Sequence, residues 1–244
     1  MMCEGKVAVV SGAAGKGMGR SIALTLAREG ARVVVNYRTG GENAQAIVQH
    51  ITGQGRSAVA FQADIMEQDQ CRALVDFTHK EYERVDICII GPGSGWHPET
   101  VDCLDAEAAL DDVRKELAPI YHLMPLVLPS MYSRKWGRVI TIALIPPYDS
   151  PAYAYNVAKA ARVQASLIAR DAAWEHGVTI NTIAPGPVPP TESLEQAADY
   201  CRHGPAWRAR ATTSPQDIAE AIAFLCSEAG DFISGAVLPF LYRG

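Results

Sequence analysis

The stretch "KVAVVSGAAGKGMGRSIALTLAREG" (residues 6–30) decides the fold of this chain. It opens with a short apolar run, which is typical of a strand buried on both faces of a sheet. Gly12, Gly17 and Gly19 follow, and apolar residues then recur at helical spacing as far as Gly30. A strand that enters a helix through glycines is the first unit of an α/β fold, and the backbone amides at such a turn can face a phosphate.

The same alternation of strand and helix patterns continues along the chain. Strands are predicted at 6–10, 32–36, 57–61, 86–90, 137–142, 178–184 and 236–240. Helices are predicted at 18–30, 42–55, 67–84, 105–133, 152–175 and 215–228. This order indicates an α/β fold, a doubly wound parallel sheet between two layers of helices, and one domain over 1–244. Pro119, Pro125 and Pro129 are expected to bend or break the fourth helix.

Composition narrows the possible partners and compartment. The chain has 244 residues, 48% of them hydrophobic and 20% charged, which suits one packed domain. Its net charge of −5 and the lack of a basic cluster argue against nucleic acid and membrane surfaces as partners. Its six cysteines form no C-x-x-C pair, so neither a metal site nor a disulfide framework is expected. The start of the chain does not resemble a signal peptide, and a cytoplasmic location is predicted.

Several motifs resemble those of one known family. They are the glycine loop (10–20), Tyr155-x-x-x-Lys159, "APG" at 184–186 and "ISG" at 233–235. Over essentially its whole length the chain resembles the short-chain dehydrogenase/reductases, with a layout similar to the 3-oxoacyl-carrier-protein reductases. The resemblance implies a Rossmann-like three-layer fold. The glycine loop departs from the family pattern by one extra residue before Gly17 and by Ser11 in place of threonine.

The end of the second strand suggests which cofactor is used. A carboxylate at this point would bind the adenosine ribose and favour NAD. This chain has Asn36, Tyr37 and Arg38, and the next acid is Glu42. Arg38 could bind a 2′-phosphate through its forked guanidinium, and Lys16 could supply a second cation, so NADP is predicted rather than NAD. The alternative for Arg38 is a solvated surface charge.

The resemblance implies that the other cofactor contacts come from the loops after the first, third, fourth and sixth strands. The residues are Ser11, Gly12, Gly17, Met18, Gly19, Asp64, Ile65, Gly91, Pro185, Gly186 and Val188, together with Tyr155 and Lys159. In the family the aspartate that Asp64 matches hydrogen-bonds the adenine amine. Asp64 could equally cap the helix predicted at 67–84, and both roles could hold.

The predicted catalytic pair is Tyr155 and Lys159, which stand four residues apart on one helix face. In the family the tyrosine exchanges a proton with the substrate oxygen, and the lysine binds the nicotinamide ribose and lowers the phenol pKa. Two partners depart from the family pattern. Leu144, or Ala143 in another alignment, replaces the serine that polarises the carbonyl, and Glu116 replaces an asparagine. A carboxylate beside Lys159 is expected to offset its charge.

The loop after the fourth strand also departs from the family, with Ile90-Gly91-Pro92-Gly93 in place of N-N-A-G. Ser94 and His97 follow and are predicted as catalytic replacements for the missing serine. A neutral His97 could donate its Nε2–H to a substrate oxygen. The alternative is that His97 only stabilises the loop.

These residues predict an NADP-dependent oxidoreductase that interconverts a small carbonyl compound and its alcohol. A non-redox enzyme of the same fold (a lyase, isomerase or cyclase) and a non-catalytic NADP-binding sensor or partner subunit remain alternatives. The segment 189–213 is expected to cover the small-molecule substrate. The resemblance implies a homotetramer or homodimer formed through the helices at 105–133 and 152–175. Leu117, Leu123 and Val163 are among the apolar residues expected to be buried in that contact.

Overall fold

Seven parallel strands form one sheet in the computed structural model, which describes residues 1–145, 151–206, 210 and 212–240. The strands are β1 (Val7–Val10), β2 (Arg32–Tyr37), β3 (Ala58–Gln62), β4 (Ile87–Ile90), β5 (Gly137–Ile142), β6 (Val178–Pro185) and β7 (Val237–Phe240). Their order across the sheet is β3-β2-β1-β4-β5-β6-β7. The order reverses between β1 and β4, where doubly wound sheets open a crevice for ligands. The predicted fold class is confirmed.

Helices cover both faces of this sheet. They are α1 (Met18–Arg28), α2 (Gly41–Gly53), α3 (Gln68–Tyr82), α4 (Ala106–Arg134), α5 (Tyr153–Trp174), α6 (Leu194–His203) and α7 (Pro215–Leu225). One apolar core packs α1, α2 and α7 against the sheet, and a second packs α3, α4 and α5 against its other face. Within the described residues, no helix is both long enough and apolar enough to cross a membrane.

The helix α4 runs without interruption through Pro119, Pro125 and Pro129. The prolines were expected to bend or break the helix, and the expected break is wrong. A proline lacks one N–H donor, but the buried side chains of the helix, including Ile120 and Leu123, still hold it against the sheet. Packing of an apolar face stabilises protein helices more than intrinsic propensity does.

The helix α6 lies inside the segment 189–213, where no helix was predicted. Ser193 caps its first turn by accepting a hydrogen bond from the backbone N–H of Gln196, 3.1 Å away. A serine followed three residues later by glutamine is a recognised start signal for a helix, so the sequence does contain the cue. In the same segment, residues 207–209 and 211 lie outside the described part of the chain.

The parallel arrangement brings the carboxyl ends of all seven strands to one edge of the sheet. The loops after β1, β2, β3 and β4 meet there around the switch point, beside the loops after β5 and β6. Every cofactor or catalytic residue predicted above lies in one of these loops or on the helix that follows it, with Asn36 at the end of β2 and Pro185 at the end of β6.

Candidate active site

The turn between β1 and α1 depends on two glycines. Gly12 has φ +64°, a left-handed backbone conformation that residues with side chains rarely adopt. A Cβ on Gly19 would lie only 2.6 Å from the carbonyl oxygen of Gly12, so glycine lets the helix start pack against the turn. Gly17 is the N-cap of α1 and contributes no side-chain hydrogen bond, and Met18 begins the helix. The first-turn amides can therefore face an anion.

Ser11 and Asn36 hold this turn in place. The Ser11 hydroxyl donates to a carbonyl oxygen of β4 at 2.8 Å and accepts from the backbone N–H of Gly91 at 2.9 Å. The buried Asn36 accepts from the N–H of Gly12 at 3.4 Å and donates to the carbonyl oxygen of Ala63 at 3.0 Å. Both residues therefore link neighbouring loops, which fixes the shape of the cofactor site from behind.

A cavity of about 350 Å³ opens beside the glycine loop. Its walls include Gly12, Asn36, Arg38, Asp64 and Ile65. The side chain of Arg38 is 68% exposed, and its Nη1 lies 3.6 Å from Oδ2 of Asp64. Glu67 is the N-cap of α3, so Asp64 does not cap that helix. The structure thus brings four separate strand ends together around one cavity.

The segment after β6 closes over the glycine loop from the other side. Gly186 donates its N–H to the carbonyl oxygen of Phe240 at 2.9 Å, which ties the end of β6 to β7. Val188 packs against the apolar core beneath the glycine loop. Lys16 is exposed, and its carbonyl oxygen accepts from the N–H of Thr191 at 2.9 Å. Pro185, Gly186 and Val188 line this side but are not part of the cavity wall around Arg38.

The predicted catalytic pair lies in the first two turns of α5. Lys159 is buried, and its Nζ lies 5.2 Å from the ring centre of the half-buried Tyr155. The same Nζ forms an ion pair of 2.8 Å with Oε1 of Glu116, which comes from α4. The expected carboxylate therefore lies beside Lys159 and contacts it directly.

A second cation, Arg162, binds the other oxygen of the same carboxylate. Its Nη1 lies 3.0 Å from Oε2 of Glu116, and both side chains are wholly buried. Sequence reasoning missed Arg162. The cue was an arginine three residues after Lys159, on a helix face that points into the protein, where an unpaired charge would be costly.

The carboxylate of Glu116 also holds the loop after β4. It accepts hydrogen bonds from the backbone N–H of Ser94 at 2.8 Å and from its hydroxyl at 3.0 Å. A Cβ on Gly93 would overlap this carboxylate, so glycine at that position makes room for it. The Ser94 hydroxyl proton is thus directed at Glu116, and in this arrangement it is not offered to a substrate.

His97 is directed at a different carboxylate. Its Nδ1 lies 3.2 Å from Oδ2 of the buried Asp112, one turn before Glu116 on α4. A carboxylate only accepts, so Nδ1 carries the proton, and Nε2 of a neutral ring bound in this way is an acceptor. This contact therefore favours the tautomer with the proton on Nδ1, whereas the expected donor needs the proton on Nε2. His97 lines a neighbouring cavity of about 760 Å³, and Tyr155 is not among the residues of its wall.

The other candidates for the missing serine lie at the end of β5. Leu144 is partly buried, and Ala143 is buried and donates its backbone N–H to β6. The hydroxyl of Thr141 lies 2.9 Å from the hydroxyls of both Ser166 and Thr182, inside the core. Thr141 therefore faces away from the site, because successive side chains of a strand point to opposite faces of the sheet.

The charges in the site shift the pKa of each member. Burial raises the pKa of Tyr155, and the Glu116 charge raises it further, while Arg162 lowers it. Burial also lowers the pKa of Lys159, against the effect of Glu116. Burial alone would raise the pKa of Glu116, but Lys159 and Arg162 together bring it below its usual value. The contacts of Glu116 with Lys159 and Arg162 are those of one carboxylate between two cations, beside a phenol whose pKa is raised.

Two comparisons place the chain among known proteins. A family model described as enoyl-(acyl carrier protein) reductase matches residues 12–240. A 7alpha-hydroxysteroid dehydrogenase from Escherichia coli (strain K12) is 31% identical over 246 residues, which cover 96% of this chain and 92% of the relative. The chain belongs to the short-chain dehydrogenase/reductase family.

Other members of the short-chain dehydrogenase/reductase family agree with this assignment. A 3-oxoacyl-[acyl-carrier-protein] reductase from Staphylococcus aureus (strain Mu50) is 28% identical over 96% of this chain and 95% of its own length. A solved structure of a 7 alpha-hydroxysteroid dehydrogenase, complexed with NADH and 7-oxo glycochenodeoxycholic acid, has a TM-score of 0.85 and 27% identity. The match covers all of this chain and 95% of that one. The predicted family is confirmed, and the chain is an oxidoreductase of this type.

Proposed function

We propose that this chain is an NADP-dependent oxidoreductase that interconverts a small carbonyl compound and its alcohol. The observation that carries the proposal is the placement of Tyr155 and Lys159. They lie one helical turn apart at the carboxyl edge of the sheet, on the segment that follows β5. A phenol beside a buried ammonium group is suited to moving a proton to or from a substrate oxygen.

The residues present fit a nicotinamide dinucleotide. The glycine turn and the uncapped start of α1 offer backbone amides to a pyrophosphate, and Asp64 and Ile65 flank the cavity beside it. Lys159 would contact the nicotinamide ribose. When bound, this cofactor supplies or accepts the hydride.

Tyr155 supplies the proton in the direction of reduction. Because burial and Glu116 raise its pKa above the usual value, the phenol is protonated near neutral pH and can donate to a carbonyl oxygen. Alcohol oxidation needs the phenolate, whose fraction grows only as pH rises toward that raised pKa. The residues therefore favour carbonyl reduction near neutral pH and alcohol oxidation at alkaline pH.

Similar proteins support the carbonyl–alcohol chemistry. One solved relative carries NADH and a 7-oxo bile acid, and another relative is named a 3-oxoacyl reductase, so both names describe a ketone. NADP is supported by the exposed guanidinium of Arg38 at the cavity and by Lys16 on the glycine loop. The cytosol is the proposed compartment, supported by the six free cysteines.

The experiment is a panel of cyclic, steroidal and acyl ketones with NADPH and NADH. It compares the natural chain with Tyr155→Phe and with the control Tyr153→Phe, an exposed tyrosine two residues earlier. The proposal requires ketone-dependent NADPH oxidation that Tyr155→Phe abolishes and Tyr153→Phe retains. Turnover that survives in Tyr155→Phe would contradict the assigned role of the phenol.

A non-redox reaction on the same fold is the second candidate. It is favoured by Leu144 in place of the serine and by the commitment of the Ser94 and His97 protons to carboxylates. The panel separates the two candidates. If NADPH binds but no ketone is reduced, the site is better assigned to a lyase, isomerase or cyclase, or to a sensor.

A further inference from the structure

Arg162 is a completely enclosed charge in the site. It lies three residues after Lys159 on α5, and its side chain has no exposed surface. Its Nη2 donates to the carbonyl oxygen of Ile90 at 2.7 Å. Its Nη1 donates to the carbonyl oxygen of Pro92 at 2.9 Å and to Glu116 at 3.0 Å. One guanidinium thus joins α5 to the end of β4, to the loop after it and to α4.

A buried guanidinium is unfavourable unless its partners compensate for lost hydration. The partners here are themselves parts of the active site. Glu116 is equally buried, and one of its oxygens binds Lys159 and Ser94 while the other binds Arg162. Arg162 therefore holds one side of the carboxylate, while Lys159 and Ser94 hold the other.

The charges explain why a second cation is needed. Glu116 by itself would cancel the positive charge of Lys159, on which the chemistry of Tyr155 depends. Arg162 returns the cluster to a net charge of +1, which Lys159 would have if it stood alone. Among the described residues, the charged groups acting on Tyr155 are Glu116 from α4 and Lys159 and Arg162 from α5. Ser94, in the loop after β4, contributes two uncharged hydrogen-bond donors to Glu116.

His97 and Asp112 form a neighbouring contact one turn earlier on α4. Asp112 is buried, whereas His97 is exposed and lines the neighbouring cavity of about 760 Å³. It is a separate pair that shares no hydrogen bond with the Glu116 carboxylate.

We propose that Arg162 is a positioning residue for proton transfer by Tyr155: it holds Glu116 against Lys159, restores the positive charge that Glu116 removes and fixes the loop after β4. This inference deepens the proposed function and rests on it. Its core is a charge balance, because the positive charge of Arg162 offsets at Tyr155 the negative charge of Glu116.

The test compares three variants by ultraviolet difference titration of the Tyr155 phenol, each read against the same chain carrying Tyr155→Phe. Arg162→Met removes the compensating charge and should move the titration to higher pH. Glu116→Gln should move it to lower pH. The double variant Glu116→Gln/Arg162→Met, with net charge +1 again, should titrate close to the natural chain. Arg170→Met, on the exposed side of α5, is the control.

This titration needs neither cofactor nor turnover, so it stays informative if the proposed redox function fails. If the reaction is found, the alkaline limb of alcohol oxidation should shift with the titration. A shift of one pH unit corresponds to about a tenfold lower oxidation rate below the limb. Cofactor affinity measured by calorimetry should change little. Arg162→Lys keeps the charge and should titrate near the natural chain, whereas a purely structural role would make it resemble Arg162→Met.

Unfolding of Arg162→Met would not hide the answer, because an unfolded phenol titrates at its ordinary value, below that of the buried Tyr155. In that case the comparison is made between Glu116→Gln and the double variant. These two differ only at Arg162, and neither contains a Glu116 carboxylate that has lost its partner. The proposal is supported if the Tyr155 phenol titrates at lower pH in Glu116→Gln than in the double variant. Equal titrations in these two folded variants, or no shift in a folded Arg162→Met, would overturn it.

Discussion

Leu144, or Ala143 in another alignment, is the residue that the family resemblance sets at the position of a serine, and the observed contacts change what is expected of it. Ser94 and His97 were the predicted replacements, but the hydroxyl of one and the Nδ1 of the other are directed at Glu116 and Asp112. Each carboxylate can only accept, so it orients the nearest proton toward itself. In the observed arrangement, the polarising role of the missing serine therefore does not pass to this loop.

A serine placed at position 144 should raise the rate of ketone reduction. Leu144→Ser is expected to raise kcat for ketone reduction about ten- to a hundredfold, since one well-placed donor to a developing oxyanion contributes at least that much. Ile145→Ser, at the next and exposed position, is the control and should change little. The measurement is steady-state kinetics with NADPH. No gain at 144 together with a hundredfold loss in Ser94→Ala would reinstate Ser94 as the donor.

Arg38 should decide between the two nicotinamide dinucleotides. Its guanidinium is exposed at the cavity and only loosely paired with Asp64, so it remains able to bind a 2′-phosphate. Calorimetry should show tighter binding of NADP than of NAD. Arg38→Asp should lower NADP affinity at least tenfold and NAD affinity far less, while Arg72→Asp, exposed on α3, should alter neither. Equal affinities in the natural chain would refute the assignment.

Among the elements, α7 shows how a local signal supports the site from a distance. Ser214 accepts from the N–H of Asp217, and the Asp217 carboxylate accepts from the N–H of Ser214 at 2.7 Å, which completes a capping box. The helix packs closely against α1, which carries the glycine turn at its start. A weaker start to α7 should therefore lower the stability of this half of the molecule.

Ser214→Ala is expected to lower the free energy of unfolding by about 1 kcal/mol, the usual cost of losing an N-cap side chain. Urea denaturation measures it, with Ser133→Ala, exposed near the end of α4, as the control. Burial would raise the pKa of Asp217, but Arg210 and Ser214 hold it below its usual 3.8. The contribution of ionised Asp217 to the stability of the fold is thus complete above that pH. It is lost as pH falls through the lower pKa that Asp217 has in the folded state. An unchanged unfolding midpoint in Ser214→Ala would contradict the role of the cap.

At the scale of the whole molecule, α4 and α5 carry exposed apolar side chains. Tyr121 on α4 is 62% exposed and Ile168 on α5 is 77% exposed. Of the residues predicted to lie in a subunit contact, Leu123 belongs to the chain's own core and is not available. Leu117 and Val163 are half-buried and remain candidates.

Light scattering at micromolar concentration should therefore report a homotetramer, or failing that a homodimer. Ile168→Asp places a charge in the apolar face of α5 and should lower the measured mass, because an unpaired charge is costly to bury. Gln49→Asp, exposed on α2 on the opposite face of the sheet, should leave the mass unchanged. A monomeric natural chain at this concentration would contradict the predicted assembly through α4 and α5.

The local pattern of the sequence determined the architecture. Apolar runs, glycine turns and helical spacing act between near neighbours, and a parallel sheet converts them into one edge of loops where the predicted residues meet. The same reasoning singled out Tyr155, Lys159 and Glu116, which the structure brings close together. It expected the prolines of α4 to bend or break the helix, because local preference does not include the packing that holds α4 against the sheet. It also passed over α6, although Ser193 and Gln196 supply a local start signal.

Only the tertiary structure decided which charges meet. Glu116 and Arg162 are 46 residues apart, and Glu116 and Ser94 are 22 apart, so no spacing rule relates them. They come together because α4 and α5 pack side by side and point these side chains at the same buried volume. In that volume a charge must be paired, so each neighbour fixes the proton and the orientation of the next. The sequence by itself therefore determined where the site lies, and long-range packing decided how its charges are arranged.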